Sequence, residues 1–413
     1  MRALVLGYGR SGKAAEALLK AQGVEAVVLA DDERDRIEGE GFDFAVVSPG
    51  IALTHPWVVE TRRRDIPLKS ELQLGCEELK RRGWKLLAVT GSKGKSSVVK
   101  VVADAINLAG GYAVPCGNYG LPVCEVADNR TIEQSEQSNN SPWAVVEVSS
   151  FMMETKELPF DTFEAAAILN LQEDHLDRHG SVGVYHGLKR KLLGMTRHPI
   201  EADGSSFDKR SGDRFPILWA GSYFDNEILS GNATIAVELM RAAGLDDKMI
   251  AQAFRGFEPL PHRMNLVAEI GGVRYIDDSK ATSLAALIAG VKMASSGNRT
   301  IEQSNNRTIR LLAGGLPKGD DPKMALATLT ERVKKVYLIG QSAEAFFAVW
   351  SGAVDCEICG TMEQAVEKAR CEAEKGETVL LSPGTASFDQ FKSYGERGDV
   401  FARLVKEKDN LNE

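Results

Sequence analysis

Residues 88–99 read AVTGSKGKSSVV: a short apolar strand runs into a glycine turn, then a lysine and two serines. Strand, glycine turn and helix start in that order point to an α/β fold, and they aim the free N–H groups of a helix N-terminus at an anion. The full phosphate-loop pattern GxxxxGK[ST] asks for a glycine five residues before Gly94, where this chain has Val89. What remains is Thr90-Gly91-Ser92-Lys93-Gly94-Lys95-Ser96-Ser97. It keeps the small residues, adds a point charge at Lys95 and offers at Ser96 a hydroxyl suited to Mg²⁺. By itself the string reads equally as an ordinary strand-to-helix turn, so the rest of the chain decides.

Working outward, short apolar runs recur between amphipathic stretches: RALVLG, AVVLAD, FAVVS, WAVVEVSS, AAAILNL, VRYIDD, TIRLLAGG, KVYLIG and TVLLSPG. This alternation predicts βα units with mainly parallel sheets, too many strands for one sheet. The nucleotide-like signals restart near residue 85, and the pattern changes after PLPHR (259–263). Three α/β domains are therefore expected: a Rossmann-like domain over 1–83, a central phosphate-loop-type domain over 84–260 and a Rossmann-like domain over 261–413.

The 413 residues carry a formal net charge of -8, which argues against general binding to nucleic acid or anionic membranes. No apolar run reaches spanning length, and MRALVLGYGR has no h-region before a cleavage site, so the expected compartment is the cytoplasm. Six cysteines do not make a disulfide framework in so long a chain, and Cys356-Glu-Ile-Cys359 lacks a second pair or a histidine cluster. Two nearly identical polar strings, NRTIEQSEQSNN (129–140) and NRTIEQSNNRT (298–308), have no core periodicity and are expected to be surface insertions.

Three further groups of residues carry chemistry. Gly7-Tyr8-Gly9-Arg10-Ser11-Gly12 follows a predicted strand, with Asp31 and Asp32 closing the next, as in a dinucleotide fingerprint. NAD and a nucleotide-sugar both present a pyrophosphate there, so the loop alone does not separate them. Glu147 ends the buried run WAVVEV, where a carboxylate needs a partner or a metal. His175 lies in NLQEDHLDRH at another strand end. In the last third, Arg263 and Lys280 are suited to neutralising phosphate charge, and Lys318, Thr282 and Ser387 to holding a small carboxylate.

Together these strings resemble the Mur ligase family over nearly the whole chain: GxGxSG, SPGI (48–51), TGSKGKSS, GNYGLP (117–122), EVSSF, EDHLDRH, HR, DDSKAT and LSPGTASFDQF, in that order. The particular resemblance is to the member that adds D-glutamate to UDP-N-acetylmuramoyl-L-alanine through an acyl phosphate. It implies an ATP-dependent enzyme working on small molecules, with two Mg²⁺ ions, and a monomer. On this resemblance Gly9, Arg10, Ser11, Gly12, Asp31, Asp32, Ser48, Pro49, Gly50 and Asn118 serve the UDP-precursor. ATP falls to Gly91 through Ser97 together with Asn232, Arg263 and Asp278. The amino acid falls to Thr282, Lys318, Ser387 and Tyr394. Ser96, Glu147, His175 and a carboxylated Lys189 would hold metal, with Lys191 as the alternative carbamate. Lys95, His175, Lys189, Arg263 and Lys280 would be catalytic.

Several positions depart from the family pattern. Lys93 and Ser97 differ in the loop, Ile235 replaces an asparagine of the adenine motif around Asn232, and Tyr394 stands for phenylalanine. No DNPR-type motif of the diaminoacid-adding relative is present. A folylpolyglutamate synthase is disfavoured by the N-terminal fingerprint with SPGI. An NAD-dependent oxidoreductase leaves TGSKGKS, EVSS and DDSKAT unexplained.

Overall fold

The computed structural model describes residues 1–31, 36–129, 141–155, 158–172, 176–201, 215–226, 228–296 and 308–407. Asp32, His175 and nearly all of the two polar repeats lie outside the described residues.

Among the described residues the strands form three sheets. The first is built from β1 (Arg2–Leu6), β2 (Glu25–Leu29), β3 (Phe44–Val47) and β4 (Leu68–Ser70) in the order β2-β1-β3-β4, all parallel. The second contains β5 (Lys85–Thr90), β6 (Ala113–Gly117), β7 (Trp143–Glu147), β8 (Ala165–Ile168) and β9 (Pro199–Glu201), parallel in the order β6-β7-β5-β8-β9. The third runs β10-β11-β15-β12-β13-β14. Its strands are β10 (Asn265–Ile270), β11 (Val273–Asp277), β12 (Ile309–Gly314), β13 (Val333–Ile339), β14 (Asp355–Gly360) and β15 (Thr378–Leu381). Only the β10–β11 pair at its edge is antiparallel.

Parallel sheets covered on both faces need apolar side chains on both sides of each strand. FAVV in β3, AAAI in β8 and TVLL in β15 are accordingly buried at every position. Such sheets gather ligand groups at the carboxyl ends of their strands, and the loops at Gly7, Ser48, Gly91, Asp278 and Ser382 each leave a strand at that end, whereas His262 and Arg263 precede β10.

The chain forms two compact units, residues 1–225 with 229–257 and residues 226–228 with 258–413. The first two sheets belong to one unit because they share a core. Ala3, Val5 and Leu18 pack in the same cluster as Leu86, Ala88 and Val146. Glu71, opening the helix Glu71–Arg81, accepts a hydrogen bond from Cys124 N–H at 2.7 Å at the start of the helix Val123–Asp128. Cys76, Cys116 and Cys124 are buried there as small apolar groups, and all six cysteines are free. In the second unit, one core lies around Leu311, Val336 and Leu380 and another around Leu312, Tyr337 and Phe401. Successive residues of β12 enter opposite cores, as the period of a strand requires.

Candidate active site

β5 delivers the glycine turn to the start of the helix Lys95–Leu108. Gly94 caps that helix at φ 84°, a left-handed conformation that disfavours any side chain, and a Cβ there would overlap the Asn232 amide nitrogen. Among the described residues no side-chain oxygen caps the helix, and no acidic residue lies in its first turn, so its N–H groups and dipole suit an anion.

The loop is braced from remote segments. Asn170, just past β8, accepts from Lys93 N–H at 2.9 Å and donates to Lys93 O at 2.8 Å, and its carbonyl accepts from Ser92 N–H at 3.0 Å. Ser92 Oγ donates to Gln172 O at 3.0 Å and lies 3.2 Å from the Tyr185 hydroxyl. Asn232, in the helix Ser230–Ala242, is buried behind Gly94. Lys95 Nζ folds back on the loop, donating to Gly91 O at 2.8 Å and Ser92 O at 3.2 Å. Lys189, on the helix Val182–Arg190, is only 2% exposed; its Nζ donates to Gly91 O at 2.9 Å and lies 4.6 Å from the Tyr185 ring centroid. Lys191, half-buried, caps that helix at its C-terminus.

Glu147 ends β7, beside β5 in the sheet. Asn118 Nδ2 donates to its Oε1 at 2.8 Å, while its Oε2 is buried with no hydrogen-bond partner among the described residues. An orphaned carboxylate oxygen is costly to bury. A hard cation shared with the Ser96 hydroxyl would satisfy it, so the donor set fits Mg²⁺.

At the first sheet, Gly7 to Gly12 turns from β1 into the helix Arg10–Ala21. A Cβ on Gly12 would overlap the Gly7 carbonyl oxygen, which also accepts from Ser48 Oγ at 3.0 Å. Gly9 caps the helix in an extended conformation with open space around it, and Arg10 approaches Gly120 of the GNYGLP turn. Asp31 is exposed just past β2. Ser48, Pro49 and Gly50 leave β3 on the same edge of the sheet as the Gly7 turn.

In the second unit, three loops meet where β11, β15 and β12 end side by side. Gly314 N–H donates to Pro383 O at 2.9 Å, Gly384 N–H to Ala281 O at 2.8 Å, and Leu316 pairs with Ala386. Thr282, Lys318 and Ser387 are thereby carried on one connected rim. Lys280 Nζ lies 3.8 Å from the Tyr394 ring centroid, and half-burial with Arg263 and Lys318 nearby lowers its pKa. Burial pushes the Asp278 carboxyl up to about 7, against its hydrogen bond from Ser382 at 2.9 Å and the charge of Arg263. Asp277 accepts from His262 Nδ1 at 2.7 Å, and Lys280 N–H donates to His262 O at 3.0 Å.

Behind this rim lies Arg397, fully buried in the helix Tyr394–Glu407. Its fork donates to Ser279 Oγ at 3.0 Å, Ser279 O at 2.9 Å, Thr385 O at 3.2 Å and Ala386 O at 3.2 Å, so it ties DDSKAT to SPGTAS. Burial lowers its pKa to about 10. Sequence reasoning missed Arg397, Tyr185 and the bracing role of Asn170. The nearest signal for Tyr185 is its spacing of four from Lys189 on one helix face.

Fold and loops define an α/β protein with parallel sheets, a glycine turn whose N–H groups suit an anion, and a cation-rich rim. The "Mur ligase middle domain" model matches residues 89–201, and the "Mur ligase, glutamate ligase domain" model matches residues 262–384. A protein of Acidobacterium capsulatum named UDP-N-acetylmuramoylalanine–D-glutamate ligase is 32% identical over 467 residues, covering 98% of this chain and 96% of its own. Proteins of that name from Nitratidesulfovibrio vulgaris and Chlamydia abortus are 33% and 32% identical, covering 98% and 99% of this chain and 96% and 99% of their own. Among solved structures, a UDP-N-acetylmuramate–alanine ligase of Thermotoga maritima covers all of both chains at 14% identity and a TM-score of 0.59. A MurF ligase of the same organism, in complex with ADP, matches with a TM-score of 0.58 at 13% identity, covering 100% of this chain and 95% of its own. The chain belongs to the Mur ligase family.

Proposed function

We propose that this chain is an ATP-dependent ligase that joins D-glutamate to UDP-N-acetylmuramoyl-L-alanine in peptidoglycan precursor synthesis, forming a C–N bond. The observation that carries this reading is its similarity, over nearly full length on both sides, to relatives bearing that activity in their names. In this reading residues 1–83 take the UDP end of the precursor, 84–260 take ATP and 261–413 take the amino acid. The enzyme works as a cytoplasmic monomer.

The chemistry needs no protein nucleophile. The precursor's terminal carboxylate takes the γ-phosphoryl of ATP to give an acyl phosphate. The D-glutamate amine then attacks the acyl carbon, and the tetrahedral intermediate expels phosphate. Catalysis is positioning and charge neutralisation, the main contributions in phosphoryl transfer. The turn from Gly91 to Ser97 holds the phosphates through its N–H groups, and Lys95 exchanges its contacts with Gly91 O and Ser92 O for a phosphate oxygen. Arg263 and Lys280 neutralise anionic groups of the substrates. Thr282, Lys318 and Ser387 hold the glutamate carboxylates, and Tyr394 lies against Lys280. Ser96 and Glu147 would hold one Mg²⁺, and His175 with Lys189 a second; bound there, the ions supply Lewis-acid polarisation of phosphoryl oxygens.

Lys189 in this reading is carboxylated. A buried ammonium beside a cation site would repel the metal, whereas a carbamate brings two oxygens and reverses the charge. Its nitrogen keeps one hydrogen and can still donate to Gly91 O.

The test is ADP release with UDP-N-acetylmuramoyl-L-alanine present and one amino acid supplied at a time. Release should depend on D-glutamate. Equal turnover with L-glutamate, L-lysine or diaminopimelate would overturn the assignment.

A further inference from the structure

The loop Ser48–Ile51 is closed on itself by Ile51 N–H donating to Ser48 O at 3.0 Å. A second hold on it comes from Arg178, remote in sequence. Arg178 Nη1 donates to Gly50 O at 3.3 Å, and Nη2 donates to Pro49 O at 3.3 Å and Ile51 O at 3.1 Å. The guanidinium is fixed from its other side. Nε and Nη2 donate to the two Glu154 carboxylate oxygens at 3.0 and 2.7 Å, and its carbon lies 4.7 Å from the Phe151 ring centroid. Arg178 and Glu154 are 17% and 11% exposed, so the pair is largely shielded from solvent screening. A bidentate fork stacked on an aromatic ring has little freedom left, and a lysine cannot reproduce it.

This grip fixes the direction of the loop's peptides. In a planar trans peptide the C=O and the following N–H point to opposite edges. With the carbonyls of Pro49 and Ile51 turned to the guanidinium, the N–H groups of Gly50 and Ala52 face away from it. The cation also polarises those peptides, which strengthens their N–H groups as donors to an anion.

We propose that Arg178, oriented by Glu154, is a positioning residue that sets the Ser48–Ile51 loop to receive the diphosphate of the nucleotide precursor without touching it. The inference rests on the functional reading given above. In it the paired side chains are part of the precursor site, although they come from the segments after β7 and β8.

The experiment measures calorimetric affinity for UDP-N-acetylmuramoyl-L-alanine and, separately, for ADP, in the full chain and in Arg178→Lys, Arg178→Ala and Glu154→Gln. Steady-state KM and kcat and melting temperatures accompany the titrations. Precursor affinity should fall about tenfold or more in Arg178→Lys and Glu154→Gln, as loss of a bidentate charged contact predicts, with ADP affinity within about twofold. Guanidinium ion at low millimolar concentration should recover part of the precursor affinity of Arg178→Ala. Unchanged precursor affinity in the two conservative variants overturns the proposal. So does a parallel loss of ADP affinity or a collapse in melting temperature, which would make the pair a brace of the fold. A parent chain that binds ADP but no precursor overturns the functional reading itself.

Discussion

Two glycine turns open two helices in this chain, each after a central strand of a parallel sheet, and they are built differently. Gly7 to Gly12 relies on close packing: Gly12 lies against the Gly7 carbonyl, and Gly9 caps the helix in an extended conformation any residue adopts. The turn at Gly91 to Ser97 relies on borrowed polar groups. Asn170 and Tyr185 bond to it, Asn232 lies against Gly94, and two lysine amines bond to one carbonyl, that of Gly91. In the proposed reading the first turn leaves a space for an anion, whereas the second would meet its anion with Lys95 and with metal ligands held beside it. A turn for binding alone needs only free N–H groups, whereas a turn for phosphoryl transfer also needs cations and metal ligands.

The sharpest way to break this contrast is Lys189→Ala. Activity should drop by on the order of a thousandfold, as for loss of a group acting mainly in the transition state, while ADP affinity stays largely intact. Short-chain carboxylates should restore part of the rate, and ¹³C-labelled bicarbonate should give a carbamate NMR signal in the parent chain that the variant lacks. Near-normal turnover in Lys189→Ala, with Lys191→Ala inactive and rescued, would move the role to Lys191.

A smaller effect separates the two caps. Gly94→Ala meets both the left-handed backbone and the Asn232 amide, and should cost about 2–4 kcal/mol in urea unfolding. Gly9→Ala has open space and an ordinary φ of -71°, and should stay within about 1 kcal/mol. Equal costs would mean that the two turns are held alike.

The smallest effect concerns Glu71, which joins the two sheets carrying these turns. Burial pushes its carboxyl up to about 7 from 4.5, despite hydrogen bonds from Cys124 and Val123 N–H. The folded chain therefore keeps a proton that the unfolded chain releases at lower pH. The stability this supplies is complete below pH 4.5 and is lost as pH rises to about 7. Glu71→Gln should gain on the parent chain by on the order of 2–3 kcal/mol between those limits, read from urea unfolding at pH 5 and pH 8. A constant difference across that range would show that Glu71 ionises alike in both states.

Gly91, Gly94, Lys95 and Ser96 were legible because a strand, a turn and a helix start are local in sequence. Glu147 was legible as a charge ending an apolar run, and its orphaned oxygen supports that reading. Arg178 and Arg397 were not legible in these roles. Arg397 lies on an amphipathic helix where an arginine is ordinarily placed in solvent, and hydrogen bonds to the Ser279 hydroxyl and to the carbonyls of Ser279, Thr385 and Ala386 make its burial tolerable. The bond between Arg178 and Ile51 spans 127 positions. No periodicity carries information over that distance.

By itself the sequence determined the α/β class, the parallel sheets and the loops at their strand ends, since these follow from hydrophobic period and from the steric needs of glycine. It also determined the family resemblance, through the order of its motifs. Only the tertiary structure decided which side chains stand behind those loops, that the first two sheets share one core, and that Lys189 reaches the Gly91 carbonyl. Those outcomes depend on buried polar groups finding partners from distant segments. That is a condition on the whole packed chain, and no stretch of sequence contains it.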